Sequence, residues 1–102
     1  SNVGALRKTG DHLKSQIGNG VVILGSVIDG RPMVVVMATD EMVKAGIHSG
    51  NIARELAGKM GGGGGGSPAV AQAGGKNADQ LSAALGSAEE IIRNSLANGS
   101  GS

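Results

Sequence analysis

A small mixed β-sheet with helices packed against it, in the order α-β-β-α-loop-β-α, is the fold class this sequence predicts. Three observations carry it. Two β-branched apolar runs, VVILGSVI (21–28) and MVVVMA (33–38), flank Asp29-Gly30, the pattern of a β-hairpin. Other stretches repeat apolar residues at intervals of three and four, as helices with one buried face do. The chain of 102 residues leaves room for one small domain, assigned to residues 3–97. Ser1-Asn2 and the closing Gly-Ser-Gly-Ser of 99–102 read as cloning remnants and are excluded from it.

The first helix is predicted over 3–17, with Leu6, Leu13 and Ile17 on one face and Ala5 beside them. Gly10 is expected to weaken it, and Gly18 and Gly20 to end it. The two strands of the hairpin do not alternate cleanly, so both are expected to be central or buried on two faces. Thr39-Asp40 offers an N-cap for a short helical turn through Met42 and Val43. A firmer helix begins near Ser49, with Ile52, Ala53, Leu56, Ala57 and Met60 inward and Asn51, Arg54, Glu55 and Lys59 outward.

Six consecutive glycines, 61–66, end that helix and read as a loop. AVAQA, 69–73, suits a short strand. Strand 33–38, helix 51–60 and strand 69–73 are placed as a right-handed crossover, the connection of parallel strands. Asn77 with Gln80 three residues on forms the pattern of a capping box. Leu81, Leu85, Ala88, Ile92 and Leu96 make the stripe of the last helix, and Asn98-Gly99 its stop. Three strands make a thin sheet, so a further strand or a partner segment is expected to be missing.

Composition bounds the function. Nine Lys and Arg stand against eight Asp and Glu, so bulk charge points to no strongly basic binder. Cysteine is absent, which excludes disulfides and Cys-ligated zinc. Phe, Tyr and Trp are absent too, which excludes RNA recognition by aromatic stacking. The core has to be aliphatic: nine Val, seven Ile, seven Leu, four Met and thirteen Ala. No apolar run reaches the length of a membrane span and no signal peptide is visible, so a soluble cytoplasmic protein is expected.

Catalytic material is sparse. His12 sits beside Asp11 on a helix surface, and His48 lies in a bend between Gly46 and Gly50, placed either for structure or for a phosphate or base contact. No carboxylates cluster as an acid–base pair or a metal site, and no cofactor or enzymatic activity is expected. Twenty glycines, about a fifth of the chain where about 7% is usual, are the outstanding feature. A glycine run lets backbone N–H groups approach a ligand closely, and phosphate is the natural ligand for such donors. The run is neither a Walker A loop nor a dinucleotide fingerprint, because it follows a helix and enters a strand. Composition alone also admits a flexible linker, but the flanks are too short to hold separate cores.

The stretch GKMGGGGGGSPAVAQAGGKN, residues 58–77, resembles the signature of the DHHA1 domain at the C-terminal end of alanyl-tRNA synthetases. The family pattern is a glycine run, a small or basic residue, Pro, then Ala-Gln and two or three Gly. Lys44, Ala45, Gly46, Gly50, Arg54 and Glu55 match the pattern upstream, and the resemblance covers 4–97. Where the family often has Arg-Pro-Asp, this chain has Ser67, Pro68 and Ala69, so one basic contact is absent. Ser67 stands where the related phosphodiesterase branch carries His, which favours the synthetase branch.

The resemblance implies a non-catalytic, tRNA-binding module that grips the outer corner of the tRNA and positions it for aminoacylation and editing. Its partners would be an alanine-specific tRNA and the remaining domains of a parent synthetase, with self-association possible and no membrane. The RNA-binding residues implied are Lys44, His48, Arg54, Lys59, the glycines Gly61, Gly62, Gly63, Gly64, Gly65 and Gly66, Gln72, Gly74, Gly75, Lys76 and Asn77. Plainer roles compete for several: a surface ion pair for Lys59 with Glu55, a solvated turn for Lys76, a local backbone bond for Gln72. Arg7, Lys8 and Lys14 read most simply as the wet face of the first helix. A dimerisation module using the 77–97 stripe, and the substrate-binding domain of a DHH-type phosphodiesterase, are the alternatives.

Overall fold

A computed structural model describes residues 3–100, with side chains to residue 97. The elements run α1 (Val3–Ile17), β1 (Val21–Ile28), β2 (Arg31–Ala38), α2 (Asp40–Lys44), α3 (Ser49–Lys59), β3 (Gly63–Gly66), β4 (Val70–Gly74), a 3₁₀ turn (Ala78–Gln80) and α4 (Leu81–Ser100). This is the predicted α/β class and order. Residues 1–2 and 101–102 of the supposed cloning remnants lie outside the described residues; 99 and 100 continue α4 past its expected stop. A lone glycine costs only about 1 kcal/mol in a helix, too little to fix an end by itself.

The hairpin forms as expected. Ile28 pairs with Arg31, leaving Asp29-Gly30 as a two-residue turn with both residues left-handed (φ 53° and 77°), the type I′ geometry. β2 lies between β1 and β4 and is buried on both faces, with Val34, Val35 and Val36 at 0% exposure. β1 is an edge strand instead of a central one, and Val27 is 48% exposed. Apolar runs of equal strength therefore occupy unequal places.

The sheet has four strands, in the order β1-β2-β4-β3, and every neighbouring pair is antiparallel. The glycine run supplies the fourth strand. This overturns the expected parallel crossover between β2 and β4, which pair antiparallel. The chain leaves β2, passes through α3, forms β3 at the far edge and returns as β4 into the gap. The strand thought missing lay inside the supposed loop. Glycine carries no side chain, so no period-2 pattern marks it.

Alternation along the strands divides the core in two. Val34, Val36 and Ala38 of β2 and Ala71 and Ala73 of β4 face α3 and α4. Val22, Val35 and Met37 face α1 through Val3, Leu6 and Leu13. All five inward residues predicted for α3 are buried to within 1%. On α1 the stripe differs: Ile17 is 44% exposed, while Gly10 is buried against Met37, whose Sδ lies 2.9 Å from where a Cβ would stand. Gly10 is a point of close approach as well as a cost. On α4 the deepest residues are Ala84, Ala88 and Ile91, with Leu81, Leu85, Ile92 and Leu96 flanking them.

Two expected caps are replaced. The Thr39 hydroxyl makes no cap bond; it accepts from the Gly20 N–H (3.1 Å) and donates to Asn19 Oδ1 (2.9 Å), tying the end of β2 to the turn before β1. Asn77 makes no side-chain cap bond either, because the 3₁₀ turn intervenes before α4. Gln80 points inward toward Gly61, and its Oε1 is buried with no hydrogen-bond partner among the described residues.

Candidate functional site

The site starts from the two ends of α3. At its C-terminus Gly61 adopts φ 70°, and its N–H donates to Gly58 O while the Gly62 N–H donates to Ala57 O (2.9 Å). That double closure is a Schellman turn, and its left-handed residue is best filled by glycine. It sends the chain back along α3 as β3. At the N-terminus the Ser49 and Gly50 N–H groups donate to Pro68 O (2.9 Å) and Ser67 O (3.1 Å). The Asn51 N–H donates to His48 Nδ1 at 3.1 Å. His48 is therefore an N-cap, and these donors of α3 are spent on the protein itself.

β3 lies so close to β4 that side chains are excluded at alternate positions. A Cβ on Gly64 would stand 2.8 Å from Ala73 Cα and from Gln72 O, and one on Gly66 would stand 2.6 Å from Val70 O. Gly62 meets Gly74 O more closely still. The Ser67 N–H donates to Val70 O (2.9 Å), which closes the β3–β4 hairpin. Antiparallel alternation from that pair assigns the ladder bonds to Gly65–Gln72 and Gly63–Gly74. The peptide groups of Gly64 and Gly66 then turn to the outer edge. Backbone N–H groups thus face outward, as expected of a glycine run, but from a paired edge strand.

The predicted side chains divide into groups. Arg54 is exposed on α3, its Nη1 donates to Asn51 Oδ1 (3.0 Å), and its Nε lies 3.8 Å from the Cβ position of Gly65. Lys59 is exposed at the end of α3. The Lys76 N–H donates to Met60 O (3.1 Å), so Lys76 meets that same end, with exposed Asn77 beside it. Gly75 packs on Met60, and Gly74 pairs with both Met33 and Gly63. Gln72 is exposed between Val35 and Gly65, and its side chain makes no hydrogen bond among the described residues. Lys44 belongs elsewhere: it ends α2 and pairs with Glu41 at 3.8 Å, both side chains largely exposed. The expected Glu55–Lys59 pair does not form; the described ion pairs are Lys44–Glu41 and Arg93–Glu89.

A residue that the sequence reading left on the wet face of α1 also reaches this region. Arg7 lines a shallow groove of about 270 Å³ with Gly65, Gly66, Val70, Ala71 and Gln72. α1 lies over β1 and β2, which leaves the β4–β3 side of that face open. Only the sheet order places Arg7 there, and nothing in its sequence neighbourhood announces it.

Among the described residues no three His, Cys, Asp or Glu side chains gather as a metal site, and no helix is long and apolar enough to cross a membrane. The arrangement offers backbone donors, the exposed amides of Gln72 and Asn77, and several unburied cations.

The DHHA1 domain family model matches residues 1–94. The chain is 49% identical over 92 residues to an alanine–tRNA ligase of Herpetosiphon aurantiacus, and 50% identical over 93 residues to that of Acetivibrio thermocellus. It spans 90–91% of itself but only 10–11% of those relatives. Among solved structures, the C-Ala domain of Aquifex aeolicus alanyl-tRNA synthetase superposes with a TM-score of 0.80 at 27% identity, covering 90% of this chain and 82% of that one. The glycine strand, its hairpin partner and the helix that backs it thus sit in a chain that belongs to the DHHA1 domain family and has the architecture of a C-Ala domain.

Proposed function

We propose that the chain is the tRNA-binding module of an alanyl-tRNA synthetase, one that grips the tRNA elbow and positions the acceptor end for aminoacylation and editing while doing no bond chemistry itself. The observation that carries this reading is the outer edge of β3: a side-chain-free strand with outward peptide donors, beside Arg54 and, at the Gly61–Gly62 end, Lys59 and Lys76. A phosphodiester backbone can approach such an edge without meeting any side chain on it. Affinity then comes from phosphate contacts, which are sequence-independent and weaken with salt. The absence of aromatics fits recognition by shape and charge rather than by stacking.

The domain's partners on this reading are tRNA and the other domains of the synthetase, in the cytoplasm. The similarity to alanine–tRNA ligases at about half identity favours it over a phosphodiesterase substrate domain. Of the 77–97 stripe, Ala88 is buried and Leu81, Leu85, Ile92 and Leu96 are partly buried against the core, so that face is used in part by the domain itself.

Fluorescence anisotropy with labelled tRNA is the test. Binding should weaken with salt, and Arg54→Ala and Lys76→Ala should each lower the log–log salt slope by about one. Absence of binding at low salt by the folded chain overturns the reading.

A further inference from the structure

We propose that the groove between α1 and the β4–β3 hairpin seats a phosphate of the tRNA backbone, with the Arg7 guanidinium as its cationic contact; this rests on the tRNA-binding reading above. The groove is small and open. Small-molecule pockets run from about 300 to 1,000 Å³ and enclose most of their ligand. At about 270 Å³ this one falls below that range, so it suits one unit of a polymer lying across it better than a whole cofactor. No acidic side chain lines it, and Gln72, exposed on its floor, offers amide N–H donors.

Arg7 is free to act there. Asp11 stands four residues on, the spacing at which helix ion pairs form, yet among the described residues the Arg7 side chain makes no ion pair or hydrogen bond. Arg54 flanks Gly65 from α3, on one face of the sheet, and Arg7 approaches the same strand from α1, on the other. Two guanidinium groups astride a strand without side chains make a track for a phosphodiester along the sheet edge, each group able to make paired hydrogen bonds to phosphate oxygens.

The test compares Arg7→Gln with Lys8→Gln. Both remove one positive charge from exposed positions of α1, and both replacements keep helix propensity. Lys8 points about 100° around the helix from Arg7 and does not line the groove. Equal thermal midpoints establish that both variants fold. In the anisotropy assay with labelled tRNA, Arg7→Gln should weaken binding roughly tenfold, the loss of one charge-assisted contact, and lower the salt slope by about one. Lys8→Gln should change affinity less than about twofold. Wild-type binding with Arg7→Gln unchanged, or with the two variants equally impaired, overturns the groove and leaves the tRNA reading standing. Wild-type chain that binds no tRNA overturns the reading itself, and the groove with it.

Discussion

Two hairpins build this sheet, and they are held in opposite ways. β1–β2 is written in branched side chains around a type I′ turn, and each strand could be recognised by itself. β3–β4 pairs a glycine strand with a short Ala-rich one. β3 has high backbone entropy and no side chains to bury, so its order comes from its surroundings. Those surroundings are the Schellman turn after α3, the N-terminus of α3 pressed on Gly66 and bonded to Ser67 and Pro68, and the ladder to β4. The first hairpin shows side chains specifying a strand. The second shows a strand specified by the shape of the space left for it, and that space is narrow because Ala and Gly line it.

The strongest way to break the contrast is to weaken what backs the second hairpin. Leu56 of α3 is completely buried. Leu56→Ala should cost about 3 kcal/mol in urea denaturation. Hydrogen exchange of the β3 amides should accelerate more than that of β2, since β3 depends on α3 for its placement. Equal acceleration in both hairpins would show that β3 has its own stability.

The next effect concerns the glycines themselves. Gly64→Ala drives a methyl into Ala73 and the Gln72 carbonyl and should cost about 2 kcal/mol, whereas Gly63→Ala meets nothing within 4 Å and should stay within about 0.5 kcal/mol. Thermal melts of the two variants check it. Similar losses at both positions would mean that glycine serves chain flexibility rather than close approach. The smallest effect lies in the first hairpin. Asp29→Ala places a residue without a turn-forming side chain at φ 53° and should cost about 1 kcal/mol, with the β1–β2 register unchanged by NMR.

Legibility in the sequence followed the same division. The inward face of α3 is correct residue for residue, because five apolar positions at helical spacing admit one arrangement. α1 departs from its period at the end: Ile17 is 44% exposed and lies against Gly20, and Gly10 holds the central place a larger residue would be expected to hold. The capping box failed because Gln80 turns inward in a 3₁₀ turn. In the candidate site, the Lys76 N–H donates to Met60 O, which brings the chain at Lys76 to the end of α3, where Lys59 precedes Met60. His48 proved to be a cap, Lys44 sits in a separate ion pair, and Arg7 entered from an element sixty residues away in sequence. The place of Arg7 depends on which strands are neighbours, and sequence spacing does not encode that; the His48 cap is a local bond to Asn51, three residues on.

The sequence by itself determined the helices, the first hairpin, the aliphatic core, the absence of stacking chemistry and, through the glycine signature, the family. All of these rest on side-chain identity and period. The tertiary structure alone decided that the glycine run is an edge strand, that β4 enters the sheet antiparallel between β2 and β3, and that Arg7 of α1 and Arg54 of α3, helices on opposite faces, both come beside Gly65. A residue without a side chain leaves no pattern to read, so its conformation is set by the backbone partner and the packed helix that leave it one place to lie.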